Sequence, residues 1–151
     1  MKYKLTDVKI NFMGKTLFQI EAVKCFGDIV KGQKGGFIEK ESNLSQFCNA
    51  WVHGNAKVYG DAEVYGNAWV SGDAEVYGDA DYLVIGPIGS RNDITTFFKT
   101  ANNDIKVSCG CFTGNIEEFL EKVNKTHGNN NYAKEYKTAV EIAKIHIFGG
   151  E

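Results

Sequence analysis

Three groups of residues in this chain carry side chains fit for chemistry or recognition. The first is a row of rings, Trp51, Tyr59, Tyr65, Trp69 and Tyr77. Trp and Tyr faces stack on planar ligands such as bases, and every base offers a π-face to such a platform. The second is Gly86-Pro87-Ile88-Gly89-Ser90-Arg91-Asn92-Asp93, with a hydroxyl and a guanidinium at its tip. Glycine lets backbone N–H groups approach an anion, and Arg grips a phosphate through two parallel bonds. Thr95 and Thr96 follow and fit such a site. The same segment also reads as a plain connector, because short glycine motifs are weak signals. The third is His53, the one histidine among these rings. Its imidazole accepts a proton as a general base if a substrate hydroxyl or amine comes within about 3 Å.

The cysteines say less. Cys109 and Cys111 fall on one face of an expected strand, and a metal reading would have to recruit His127 or His146 as well, since structural zinc takes four ligands. Cys-x-Cys is not the common Cys-x2-Cys spacing, and no second pair follows. Free, buried thiols are the expected state, with no metal and no cofactor. Cys25 and Cys48 add nothing specific.

The rings and His53 are placed by a repeat. From Asn49 to Tyr82 the chain runs through near-identical hexads, such as Asn-Ala-Trp-Val-His-Gly at 49–54 and Asp-Ala-Glu-Val-Tyr-Gly at 61–66. A fixed short period means that each unit buries its apolar positions only by stacking on its neighbours. Val52, Val58, Val64, Val70 and Val76 stand two residues after Ala50, Ala56, Ala62, Ala68 and Ala74, so on a strand both sets face inward. Trp51, Lys57, Glu63, Trp69 and Glu75 then face outward, as do His53, Tyr59, Tyr65, Ser71 and Tyr77. Gly at 54, 60, 66, 72 and 78, each followed by Asn or Asp, makes a bend. A helix is excluded, since each Gly would cost about 1 kcal/mol relative to Ala. Like residues also recur after eighteen positions, Trp51 with Trp69 and Lys57 with Glu75. That predicts three bends per coil, with stacked coils about 4.8 Å apart. The slot of His53 holds Tyr or Ser in sister hexads, which favours decoration of a face over catalysis.

This pattern resembles the hexapeptide-repeat family, whose fold is a left-handed parallel β-helix of triangular section. Val52-His53-Gly54-Asn55-Ala56-Lys57 fits the family motif at its aliphatic and small positions and departs at the second, where aromatics are common here. The resemblance implies a homotrimer with sites between subunits. In the family's acyltransferases one histidine usually serves as base, which makes His53 the alternative catalytic residue. This chain lacks the long projecting loop that such enzymes often use.

The expected fold class is therefore mainly β. Residues 1–36 form an N-terminal β-hairpin cap, with strands Lys2 to Phe12 and Thr16 to Phe26 joined at Met13-Gly14-Lys15. Residues 37–84 form the left-handed parallel β-helix. Residues 85–151 form a C-terminal ββαα module. Its strands run Ile94 to Thr100 and Ile105 to Phe112. Asn115 with Glu118 makes a capping box for one helix, and a second runs from about Tyr132 to His146.

A net charge of −2 gives no bulk electrostatic case for long nucleic acid or membrane. No apolar run approaches the roughly 20 residues of a membrane span. The N-terminal residues Met1-Lys2-Tyr3-Lys4 lack the apolar stretch of a secretion signal, and four cysteines in that setting fit a reducing cytoplasm. The phrases Tyr82-Leu-Val-Ile-Gly-Pro-Ile-Gly-Ser-Arg and Cys109-Gly-Cys-Phe-Thr-Gly-Asn, with Thr126-His127-Gly128, resemble small phage and prophage proteins carrying such repeats. That resemblance implies a viral origin and a bacterial host cytoplasm, and it transfers no catalytic residue.

The expected function is non-catalytic binding. Its most specific form is a phage anti-defence sponge that sequesters a cyclic nucleotide or related nucleotide immune signal between subunits. Trp51, Tyr59, Trp69, Tyr77, Ser90, Arg91 and Thr95 would hold the ligand. The alternatives are an acyltransferase using His53 and a purely structural or assembly trimer.

Overall fold

Met13 and Gly14 both adopt positive φ, 54° and 79°, the geometry that closes a two-residue hairpin between right-twisted strands. They join β1 (Tyr3–Phe12) to β2 (Lys15–Ala22), which pair antiparallel with Phe12 opposite Lys15. The computed structural model describes residues 1–78, 81–90, 93–109 and 112–149. The chain divides into two compact units, Met1–Asp79 and Ala80–Glu151.

In the first unit β3 (Lys34–Ile38) follows the hairpin. The repeat then contributes four strands of two residues each: β4 (Trp51–Val52), β5 (Lys57–Val58), β6 (Trp69–Val70) and β7 (Glu75–Val76). Glycines 54, 60, 66 and 72 take φ between 64° and 68°, the left-handed region, and so keep each strand short. The repeat valines and alanines are all buried. Parallel pairs form at the eighteen-residue spacing, Trp51 with Trp69 and Lys57 with Glu75.

These pairs do not wind into the expected left-handed parallel β-helix. The strands are shared among a five-stranded mixed sheet of order β1-β2-β3-β5-β7 and a separate two-stranded sheet, β4 with β6. No closed or solenoid sheet is present among the described residues. The reason lies outside the repeat. β3 pairs antiparallel with β2 on one side, and its Phe37 and Ile38 offer the other edge to Lys57 and Val58. The N-terminal hairpin therefore continues the sheet that takes up β5 and β7, where a separate cap was expected.

The second unit opens with β8 (Tyr82–Ile88), then β9 (Asp93–Lys99), β10 (Ile105–Cys109) and β11 (Phe112–Asn115), in an antiparallel sheet of order β11-β10-β9-β8. Two helices follow, α1 (Ile116–His127) and α2 (Asn131–Phe148). The expected ββαα pattern is thus four strands and two helices. β8 precedes the two expected strands, and the expected strand Ile105 to Phe112 is divided between β10 and β11, with Cys109 opposite Phe112. The helix signals are realised locally. Asn115 Oδ1 accepts from the Glu118 amide at 2.8 Å, while the Asn115 amide donates to Glu118 Oε1 at 3.0 Å. Asn130 Oδ1 accepts from the Ala133 amide at 3.0 Å. Phe119 anchors the core, edge-on to Phe97 and Tyr136 with centroids 6.3 and 5.5 Å away. Among the described residues, no helix is long and apolar enough to cross a membrane.

Candidate functional site

Because β5 and β7 run parallel in register, the residues that follow them come side by side. Tyr59 and Tyr77 meet with ring centroids 5.2 Å apart and planes inclined at 55°. Gly60 makes that approach possible, since at its φ of 64° a Cβ would overlap the Tyr77 ring. Phe12, the last residue of β1, closes the row edge-on to Tyr59 at 5.5 Å. The Lys57 ammonium stands 5.2 Å from the centre of the Phe12 ring, a cation–π distance, and donates to the Asn55 carbonyl at 3.3 Å. The result is a ladder, Phe12–Tyr59–Tyr77, with a positive charge beside it. Tyr59 is half-buried, whereas Tyr77 is 52 % exposed.

The backbone beneath the ladder is held by a carboxylate. The Gly60 amide donates to Glu39 Oε1 at 2.9 Å, and Lys15 Nζ lies 3.5 Å from Oε2. The Gly60 amide first, and Lys15 after it, hold the Glu39 carboxyl below its ordinary range.

The tryptophans part company. Trp51, expected on an outward face, has 0 % exposure. Tyr3 and Phe26 pack edge-on against it at 6.5 and 5.3 Å, and its Nε1 is buried without a partner. Alternation does place Trp51 on the outer side of its hexad. That side is covered by an N-terminal segment and is no ligand surface. Its register partner Trp69 is half-buried, with the His53 ring 5.5 Å away. His53 is itself half-buried, and its Nδ1 is buried without a partner. A histidine base is ordinarily oriented by an acceptor on its second nitrogen. No described residue supplies one here.

The glycine loop is engaged from within. The Gly89 amide, a donor suited to an incoming anion, already bonds Glu135 Oε1 at 3.1 Å. A Cβ at Gly89 would overlap the Tyr136 hydroxyl, so only glycine lets β8 and α2 come this close. Ser90 is exposed. Thr95, expected at the ligand, is 0 % exposed; it sits opposite Cys109 and donates to Cys109 Sγ at 3.2 Å. Arg91 and Cys111 lie outside the described residues. His127 packs as a ring, stacked on Tyr136 at 6.0 Å. Among the described residues, no group of three or more His, Cys, Asp or Glu side chains is placed to hold a metal.

Of the seven ligand residues expected from the sequence, the structure brings Tyr59 and Tyr77 together, and sets Trp69 beside His53. Phe12 and Lys57 complete the ladder and were not singled out. Lys57 occupies an outward hexad slot, a usable signal. Nothing local to Phe12 shows which strand it meets. In comparisons with protein-family models and with curated proteins, no match was found.

Proposed function

We propose that this protein is a non-catalytic binding module that takes a planar, anionic ligand on the Phe12–Tyr59–Tyr77 ladder. One observation carries this reading: two tyrosines 5.2 Å apart, one of them half in water, in a row with Phe12, whose ring carries the Lys57 ammonium at 5.2 Å. A base stacks on such a platform, and the ammonium meets its phosphate. The specific form of the reading is a phage sponge that sequesters a cyclic nucleotide or related immune signal in a bacterial cytoplasm. The phage-like phrases in the sequence support it. So does the exposure of Tyr77, the last ring of the ladder, which leaves it accessible to a stacking partner. In this form, copies of the chain associate and the ligand is held between them.

Calorimetry against a panel of cyclic mono- and dinucleotides tests the reading. At least one should bind and be recovered intact after the protein is denatured. Failure of every member to bind removes the reading, and recovery of a cleaved product replaces a sponge with a hydrolase.

A further inference from the structure

Phe47 is 78 % exposed, yet the chain around it is pinned. Gln46 Oε1 accepts from the backbone amides of Lys2 and Tyr3 at 2.7 and 3.2 Å, and its Nε2 donates to the Tyr3 carbonyl at 3.2 Å. Ser45 Oγ accepts from the Phe47 amide at 3.0 Å. Lys2, only 1 % exposed, donates to the carbonyls of Ala50 at 2.6 Å and Phe47 at 3.4 Å. These bonds hold the backbone of the loop, and the Phe47 side chain projects from it into water.

Tyr65, 63 % exposed, lines the same stretch of surface. The two rings line one open groove of about 430 Å³, within the usual range for small-molecule sites. Leu44 and Val64, bridged in parallel and both buried, form its apolar floor. The floor is fixed from below, where the Tyr3 hydroxyl donates to the Leu44 carbonyl at 2.6 Å. Among the described residues, Glu41 and Glu63 are the charged groups that line it, Glu41 Oε1 also accepting from Gln46 Nε2 at 3.2 Å, and no Lys or Arg lines it. Aromatic faces attract cations through their quadrupole, carboxylates add direct attraction, and an apolar floor accepts an alkyl or aryl body.

We infer that this groove binds a small organic cation, an amine or quaternary ammonium carried on an apolar body. The site differs from the ladder in residues and in the sign of charge it selects, so it stands whether or not the ladder takes a nucleotide.

Titration of the full chain with benzyltrimethylammonium, followed by calorimetry and by NMR shifts of Phe47 and Tyr65, tests it. Benzyl alcohol and 3-phenylpropionate serve as neutral and anionic comparators. The cation should bind best and weaken as salt is raised. Phe47→Ala and Glu63→Gln should each weaken it about two- to fivefold, with far-UV circular dichroism unchanged. Tyr65→Phe should keep binding, because it keeps the ring face, and Tyr77→Ala should leave it untouched. No binding, equal binding of all three probes, or binding indifferent to both Phe47→Ala and Glu63→Gln overturns the inference.

Discussion

Tyr77 packs where a Cβ at Gly60 would meet its ring, and it is 52 % exposed; under the proposed function a base stacks on it. Loss of one stacking ring costs about 1–3 kcal/mol per base, so Tyr77→Ala should weaken nucleotide binding roughly 5- to 150-fold in calorimetry. Folding stability should also fall, by about 1 kcal/mol, since the buried side of Tyr77 packs on Tyr59 and Gly60. Lys2 supplies a second test. Burial lowers its ammonium to about 8 from the ordinary 10.5; Cys48 opposes the shift and Lys24 adds to it. Between those two values the unfolded chain holds the proton that the folded chain has released, so stability rises with pH across the window. Burial, with Glu41 next, raises the Tyr3 phenol, which works in the opposite sense once pH passes the ordinary tyrosine value of 10.0. Urea unfolding should therefore show stability climbing from about pH 8 to 10, and Lys2→Met should flatten the climb.

Helix and turn signals in this chain act over three or four residues, and those were legible. Asn115 and Glu118 form the reciprocal bonds that their spacing predicts, and Met13-Gly14 turns the hairpin. Asn115→Ala should remove the bond to the Glu118 amide and lower stability by about 1 kcal/mol, measured by thermal melting of the helical signal. The period-two pattern also gave the inward parity of the repeat valines, and the eighteen-residue spacing gave the parallel pair that sets Tyr59 beside Tyr77. Sheet partners were not legible. β3 joins β2 to β5, and nothing in Lys34–Ile38 shows that both edges are taken. Trp51 failed for the same reason, because its covering residues Tyr3 and Phe26 lie far away in sequence. Thr95 lies on β9 between β8 and β10, buried with its hydroxyl on Cys109 Sγ, a partner that its local sequence does not show.

Each of the two units has its own apolar core, and both helices belong to the second. Phe119 packs against Phe97, Phe112 and Tyr136 there. Phe119→Ala should cost about 3–5 kcal/mol, seen as a lower melting temperature at 222 nm. Both tryptophans belong to the first unit, one walled in and one half in water. Trp51 should therefore emit to the blue and be shielded from acrylamide, and the partly exposed Trp69 should emit redder and be quenched more, as steady-state fluorescence would show. Trp69→Phe should leave an emission band that acrylamide barely quenches. Unfolding makes the two indoles spectrally alike, so the gap between their bands gauges how much of that unit remains intact.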